Sequence, residues 1–78
     1  MARLVVGKSD KFEIAGLAKN KRFSTLSEKR ITMAVRETLR RNRGNEVKVS
    51  CTAHWYQGMW MGTCWIDGVK RMYQVHSA

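Results

Sequence analysis

"VKVSCTAHWYQGMWMGTCWIDGVKRMYQVH", Val47 to His76, holds all three Trp, both Cys, both His and three of the five Met residues of the chain. Its first ten residues alternate strictly. Val47, Val49, Cys51, Ala53 and Trp55 share one face of an extended strand, and Lys48, Ser50, Thr52, His54 and Tyr56 share the other. If Gln57-Gly58 is a two-residue turn, Trp55 falls opposite Trp60, Ala53 opposite Gly62, Cys51 opposite Cys64 and Val49 opposite Ile66. Every apolar position then meets an apolar or small one, and a slip of one residue would turn the whole set to the wrong side. Asp67-Gly68 is a second turn signal, because both central residues of a type I′ turn need positive φ. Beyond it Val69, Arg71, Tyr73 and Val75 are expected inward, and Lys70, Met72, Gln74 and His76 outward. Residues 46–76 therefore read as a three-stranded antiparallel meander.

Working upstream, Leu26, Ile31, Ala34, Val35, Thr38 and Leu39 follow a helical period. Thr25 with Glu28 fits a capping box and Gly44 stands where a helix would stop, so a helix is expected over 25–42. Its apolar stripe matches the dry face of the meander, which bare strands would leave open to water. Further upstream, "RLVV" and "KFEIAGLA" flank the turn-like "GKSD" and suggest one or two strands within residues 1–18, although "IAGLAKN" also suits a helix. The expected fold is α+β, a single small domain with one amphipathic helix on an antiparallel sheet, in the order ββαβββ or βαβββ.

A chain of 78 residues buries only about 60% of the surface that it exposes when unfolded, so it has room for one small core and no interdomain cleft. Apolar residues make up 44% of the chain and are interleaved with the charges, as in a folded domain rather than a basic tail. Fifteen Lys and Arg against six Asp and Glu give a formal charge of +9, which attracts polyanions such as nucleic acid, an acidic protein face or, less so because no free amphipathic segment remains, an anionic membrane. No apolar run approaches the length of a membrane span and no secretory leader pattern opens the sequence, so a cytoplasmic protein without membrane attachment is expected.

Two candidate surfaces emerge. Lys29, Arg36, Arg40 and Arg43 recur at spacings of seven, four and three along one line of the helix. Glu37 can pair with Arg41, but no acid neutralises the line itself, and Lys19, Lys21 and Arg22 extend it before the helix. An ordinary solvated face would look similar, but the excess of nine charges favours a site for nucleic acid or for an acidic partner. The second surface is the outer side of the meander, which collects His54, Tyr56, Met59, Met61, Trp65 and Met72 where a solvent face normally carries fewer large apolar groups. Three readings compete for it: the N-terminal segment folds over it, two copies bury it in a homodimer, or it is a platform for bases or for a protein partner.

The other chemistries find less support. Cys51, His54, Cys64 and His76 make up a Cys2His2 inventory, but Cys51 and His54 are three residues apart and so lie on opposite faces of a strand. No metal or cofactor is expected. A Cys51–Cys64 disulfide is geometrically easier, yet a reducing cytosol would keep both as small buried thiols. Neither an acid pair nor a nucleophile with its base can be assembled, and Gly7-Lys8-Ser9 lacks the preceding glycine and spacing of a phosphate-binding loop. The sequence thus points to a non-enzymatic binding protein that contacts nucleic acid through the helix ridge and the sheet face. The alternative is a small inhibitor or adaptor of the phage host-takeover or anti-defence type, covering the acidic or nucleic-acid-binding surface of another protein.

Overall fold

The computed structural model describes residues 2–14, 17 and 25–76. Six strands and one helix follow in the order β1 (Arg3–Val6), β2 (Asp10–Glu13), α1 (Glu28–Arg43), β3 (Val49–Cys51), β4 (His54–Tyr56), β5 (Met59–Ile66) and β6 (Val69–His76). All of the strand pairings are antiparallel, in the sheet order β2-β1-β6-β5-β3, with β4 also pairing with β5. The fold is thus α+β, a helix on one antiparallel sheet.

The meander has the register that its alternation demands, with Val49 opposite Ile66, Cys51 opposite Cys64 and Trp55 opposite Trp60. Both turns are left-handed at both central residues, with φ of 49° and 81° at Gln57-Gly58 and 50° and 83° at Asp67-Gly68. That geometry matches the right-handed twist of the flanking strands and closes each hairpin in two residues. The N-terminal segment forms a full hairpin, and β1 pairs with β6, setting Leu4 beside Val75 and Val6 beside Tyr73. Residues 2–14 therefore widen the sheet instead of folding over its outer face.

The helix starts later than the sequence pattern suggested. Its N-cap is Ser27 rather than Thr25, and the Ser27 hydroxyl accepts the Arg30 N–H at 3.1 Å. Ser27 is three residues before Arg30, so it reaches a free donor of the first turn that Thr25 is too far back to serve. At the other end Gly44 caps as expected, its N–H donating to the Arg40 carbonyl at 2.8 Å. Ile31, Ala34, Val35, Thr38 and Leu39 are buried along the face that meets the sheet, joined by Leu26. Thr38 is tolerated there because its hydroxyl donates back to the Ala34 carbonyl at 2.8 Å. Opposite them lie Leu4, Val6, Val49, Trp60, Cys64, Ile66, Tyr73 and Val75, and the two rows form one core.

Three inward expectations fail at the margins of the helix. Trp55 is 40% exposed, resting edge-on against buried Trp60 with ring centroids 5.6 Å apart. Val69 and Arg71 have inward parity but are exposed, whereas their partners Ile66 and Cys64 are buried. A 16-residue helix covers the middle of this sheet and leaves those corners open.

The long strand expected from Val47 onward is also interrupted, at Thr52 and Ala53. Thr52 keeps its N–H on the Thr63 carbonyl at 2.9 Å, while its side-chain hydroxyl takes the Thr63 N–H at 3.2 Å in place of its carbonyl. That carbonyl turns inward and accepts the phenol of Tyr73. Only glycine fits beneath it, since a Cβ at Gly62 would lie 2.1 Å from the Thr52 oxygen.

Candidate functional site

The outer face of the sheet is set by parity. Once Leu4, Val6, Trp60, Cys64, Ile66, Tyr73 and Val75 are committed to the core, the alternate positions must point away from the helix. His54, Tyr56, Met59, Met61, Trp65 and Met72 all have this outward parity, and the register brings them side by side. Tyr56 lies opposite Met59, His54 opposite Met61, Met61 opposite Gln74, Thr63 opposite Met72, and Trp65 opposite Lys70. Tyr56, Trp65 and Met72 are 56%, 36% and 57% exposed. The face is therefore contiguous, and no described segment covers it. Polar contacts on it include the Thr63 hydroxyl donating to the Met72 sulfur at 3.4 Å and His76 Nε2 lying 3.1 Å from Gln74 Oε1.

The charge around this face is mainly positive. Lys11 and Arg3 lie outward on β2 and β1, Lys70 beside Trp65 on β6, and Lys48 precedes β3 with the same parity. Glu13 is the one acid at an outward position of the described strands, and its cross-strand neighbour is Arg3. Sequence reasoning found the apolar members of this face but not Lys11 and Arg3, whose place depends on the N-terminal hairpin joining β6.

The helix ridge is only partly free. Lys29 and Arg40 are exposed and Arg36 is half-buried. Arg43, expected to stand unpaired, is bound to Asp10 at 2.9 Å, the one ion pair among the described residues. The hairpin turn brings Asp10 to the end of the helix, a long-range contact that spacing along α1 does not reveal. The expected Glu37–Arg41 pair is thus not formed. Lys19, Lys21 and Arg22 lie outside the described residues.

Ridge and platform do not form one surface, because the helix lies on the opposite side of the sheet from the aromatic face. At the β3 edge the helix is tied to the inner side of the sheet, where the Cys51 thiol donates to the Thr32 carbonyl at 3.5 Å.

This chain matches no family model, no curated protein and no solved structure. The surfaces themselves must carry the functional reading.

Both cysteines are free thiols in directly opposed positions. Burial raises the Cys51 thiol to about 11, partly offset by Arg36, and burial likewise raises Cys64. Neither is poised as a thiolate nucleophile near neutral pH. Among the described residues no three His, Cys, Asp or Glu side chains cluster as a metal site would need, and no helix is long and apolar enough to cross a membrane. A shallow cleft of about 520 Å³ lies between the helix C-terminus and the β5–β6 turn, lined by Arg43, Glu46, Val47, Ile66 and Asp67. Asp67 is occupied in it, accepting the Lys48 N–H at 3.0 Å.

Proposed function

We propose that this protein is a non-enzymatic nucleic-acid-binding domain that uses the open aromatic and Met face of its sheet, with Lys29, Arg36 and Arg40 of the helix as a second contact for phosphates. The observation that carries this reading is the coincidence, on one face that no described segment covers, of Tyr56, Trp65 and His54 with a border of Arg3, Lys11, Lys48 and Lys70. Cations neutralise phosphates and release counterions, and aromatic rings add stacking that water cannot match. Binding to a labelled oligonucleotide across a salt series is the test. Log affinity should fall linearly with log salt, and replacing Arg36 and Arg40 together by Ala should flatten that slope by about two. An isotherm insensitive to salt would overturn the proposal.

A second reading is an inhibitor or adaptor that docks on another protein, and the Met cluster favours it. Met59, Met61 and Met72 stand on adjacent strands, and flexible thioethers adapt to irregular partner surfaces. It predicts a stoichiometric complex in cell extract that survives nuclease and moderate salt and is lost on Tyr56→Ala or Trp65→Ala.

A further inference from the structure

Resting on the nucleic-acid reading, we infer that the outer sheet face takes unpaired bases, so that its ligand is single-stranded nucleic acid laid across β4, β5 and β6, and not a duplex. The argument starts from what each side chain can do. Trp65, Tyr56 and Met72 carry no charge to neutralise a phosphate, and what their apolar surfaces best receive is the face of a base, which a duplex keeps stacked inside while showing only base edges in its grooves. The turns that border this face, Gln57-Gly58 and Asp67-Gly68, are only two residues long. An unpaired base has a free π-face, and Trp65 and Tyr56 are exposed to receive one.

The layout matches such a ligand. Trp65 lies opposite Ser50 on β3 and His54 is four residues further along that side, which separates the two rings by about 13 Å along the strands. Between them Met61, Thr63 and Met72 form an apolar and weakly polar floor without an acid. Lys70 stands beside Trp65 at one end, and a cross-strand row runs from His54 through Met61, Gln74 and Val5 to Lys11 at the far edge. A flexible strand can set bases on the floor while its phosphates reach these marginal cations. A duplex could do both only by unstacking its bases, which costs free energy at every step.

The test uses the full chain and homopolymeric oligonucleotides, single-stranded DNA and single-stranded RNA in separate arms, against a duplex of equal length at matched salt. Both or either single strand should bind at least about tenfold tighter than the duplex, with each stacked aromatic contributing on the order of tenfold. Trp65→Ala with Tyr56→Ala should abolish the preference while leaving the salt slope and the thermal melt unchanged, and Trp65→Phe should keep most of it. Preference in one arm alone assigns the sugar chemistry. Equal or tighter duplex binding, or a preference that survives the double Ala variant, overturns the inference and leaves the nucleic-acid reading standing. If no oligonucleotide binds in any arm, both fall together.

Discussion

The phenol of Tyr73 on β6 donates to the carbonyl of Thr52, reaching across β5 through the space left by Gly62. This contact holds the interrupted edge of the sheet closed, because Thr52 has already given its hydroxyl to Thr63. Tyr73→Phe keeps the buried ring and leaves that carbonyl unpaired, so it should cost about 1–3 kcal/mol in urea unfolding with an unchanged m-value. Gly62→Ala should cost about 3 kcal/mol or more, since its methyl both crowds the carbonyl and displaces the phenol. Equal stability of Gly62→Ala and the parent would show that the inward carbonyl is not a fixed feature of the fold.

Gln57 adopts φ of 49°, a left-handed conformation that its side chain disfavours and that Gly or Asn accepts readily. The second meander turn carries Asp67 at the equivalent place and lacks this penalty in part. Gln57→Gly and Gln57→Asn should therefore each raise stability by about 0.5–1 kcal/mol. The readout is the denaturation midpoint, and a decrease for both variants would contradict the type I′ geometry.

The elements that were legible in the sequence are those whose evidence is local. Strict alternation from Val47 onward fixed face and register together, and the spacing from Ile31 to Leu39 fixed the buried stripe of the helix. What escaped depends on contacts between distant segments. Arg43 is neutralised by Asp10, 33 residues away, and nothing along the helix hints at it. Trp55 has the parity of the core, but parity does not say how far a helix reaches, and the ring ends at the rim. The interruption at Thr52 is similarly invisible, because it arises from Tyr73 and Gly62 acting on one carbonyl. For the candidate site, the apolar side chains were found by face assignment, whereas the cations at its far edge required knowledge that β1 pairs with β6.

Buried thiols set an alkaline limit. The folded chain holds the Cys51 proton to about 11, against an ordinary value of 9.0, mainly because burial penalises the thiolate, and Cys64 and the Tyr73 phenol are raised for the same first reason. Groups whose folded pKa is raised bind protons more tightly in the folded state, so their stabilisation is complete below pH 9 and is lost as pH rises toward 11. Urea midpoints under reductant should be flat through neutral pH and decline across that window. Cys51→Ala should lose part of that decline. A wild-type slope unchanged by this substitution would assign the loss to other groups.

The ion pair at the end of the helix separates two arginines that sequence spacing treats alike. Arg43 is held by Asp10, while Arg40 is exposed with no acid beside it. Its half-exposed setting limits the pair to about 0–1 kcal/mol of stability, further reduced by salt. If the ridge contacts phosphates, Arg40→Ala should reduce the salt slope of binding by about one, and Arg43→Ala by less, because part of its charge is already compensated. Asp10→Asn releases Arg43, so it should tighten binding at low salt and leave the melt nearly unchanged. Equal effects of the two arginine substitutions, together with no gain from Asp10→Asn, would show that the pair does not persist in solution.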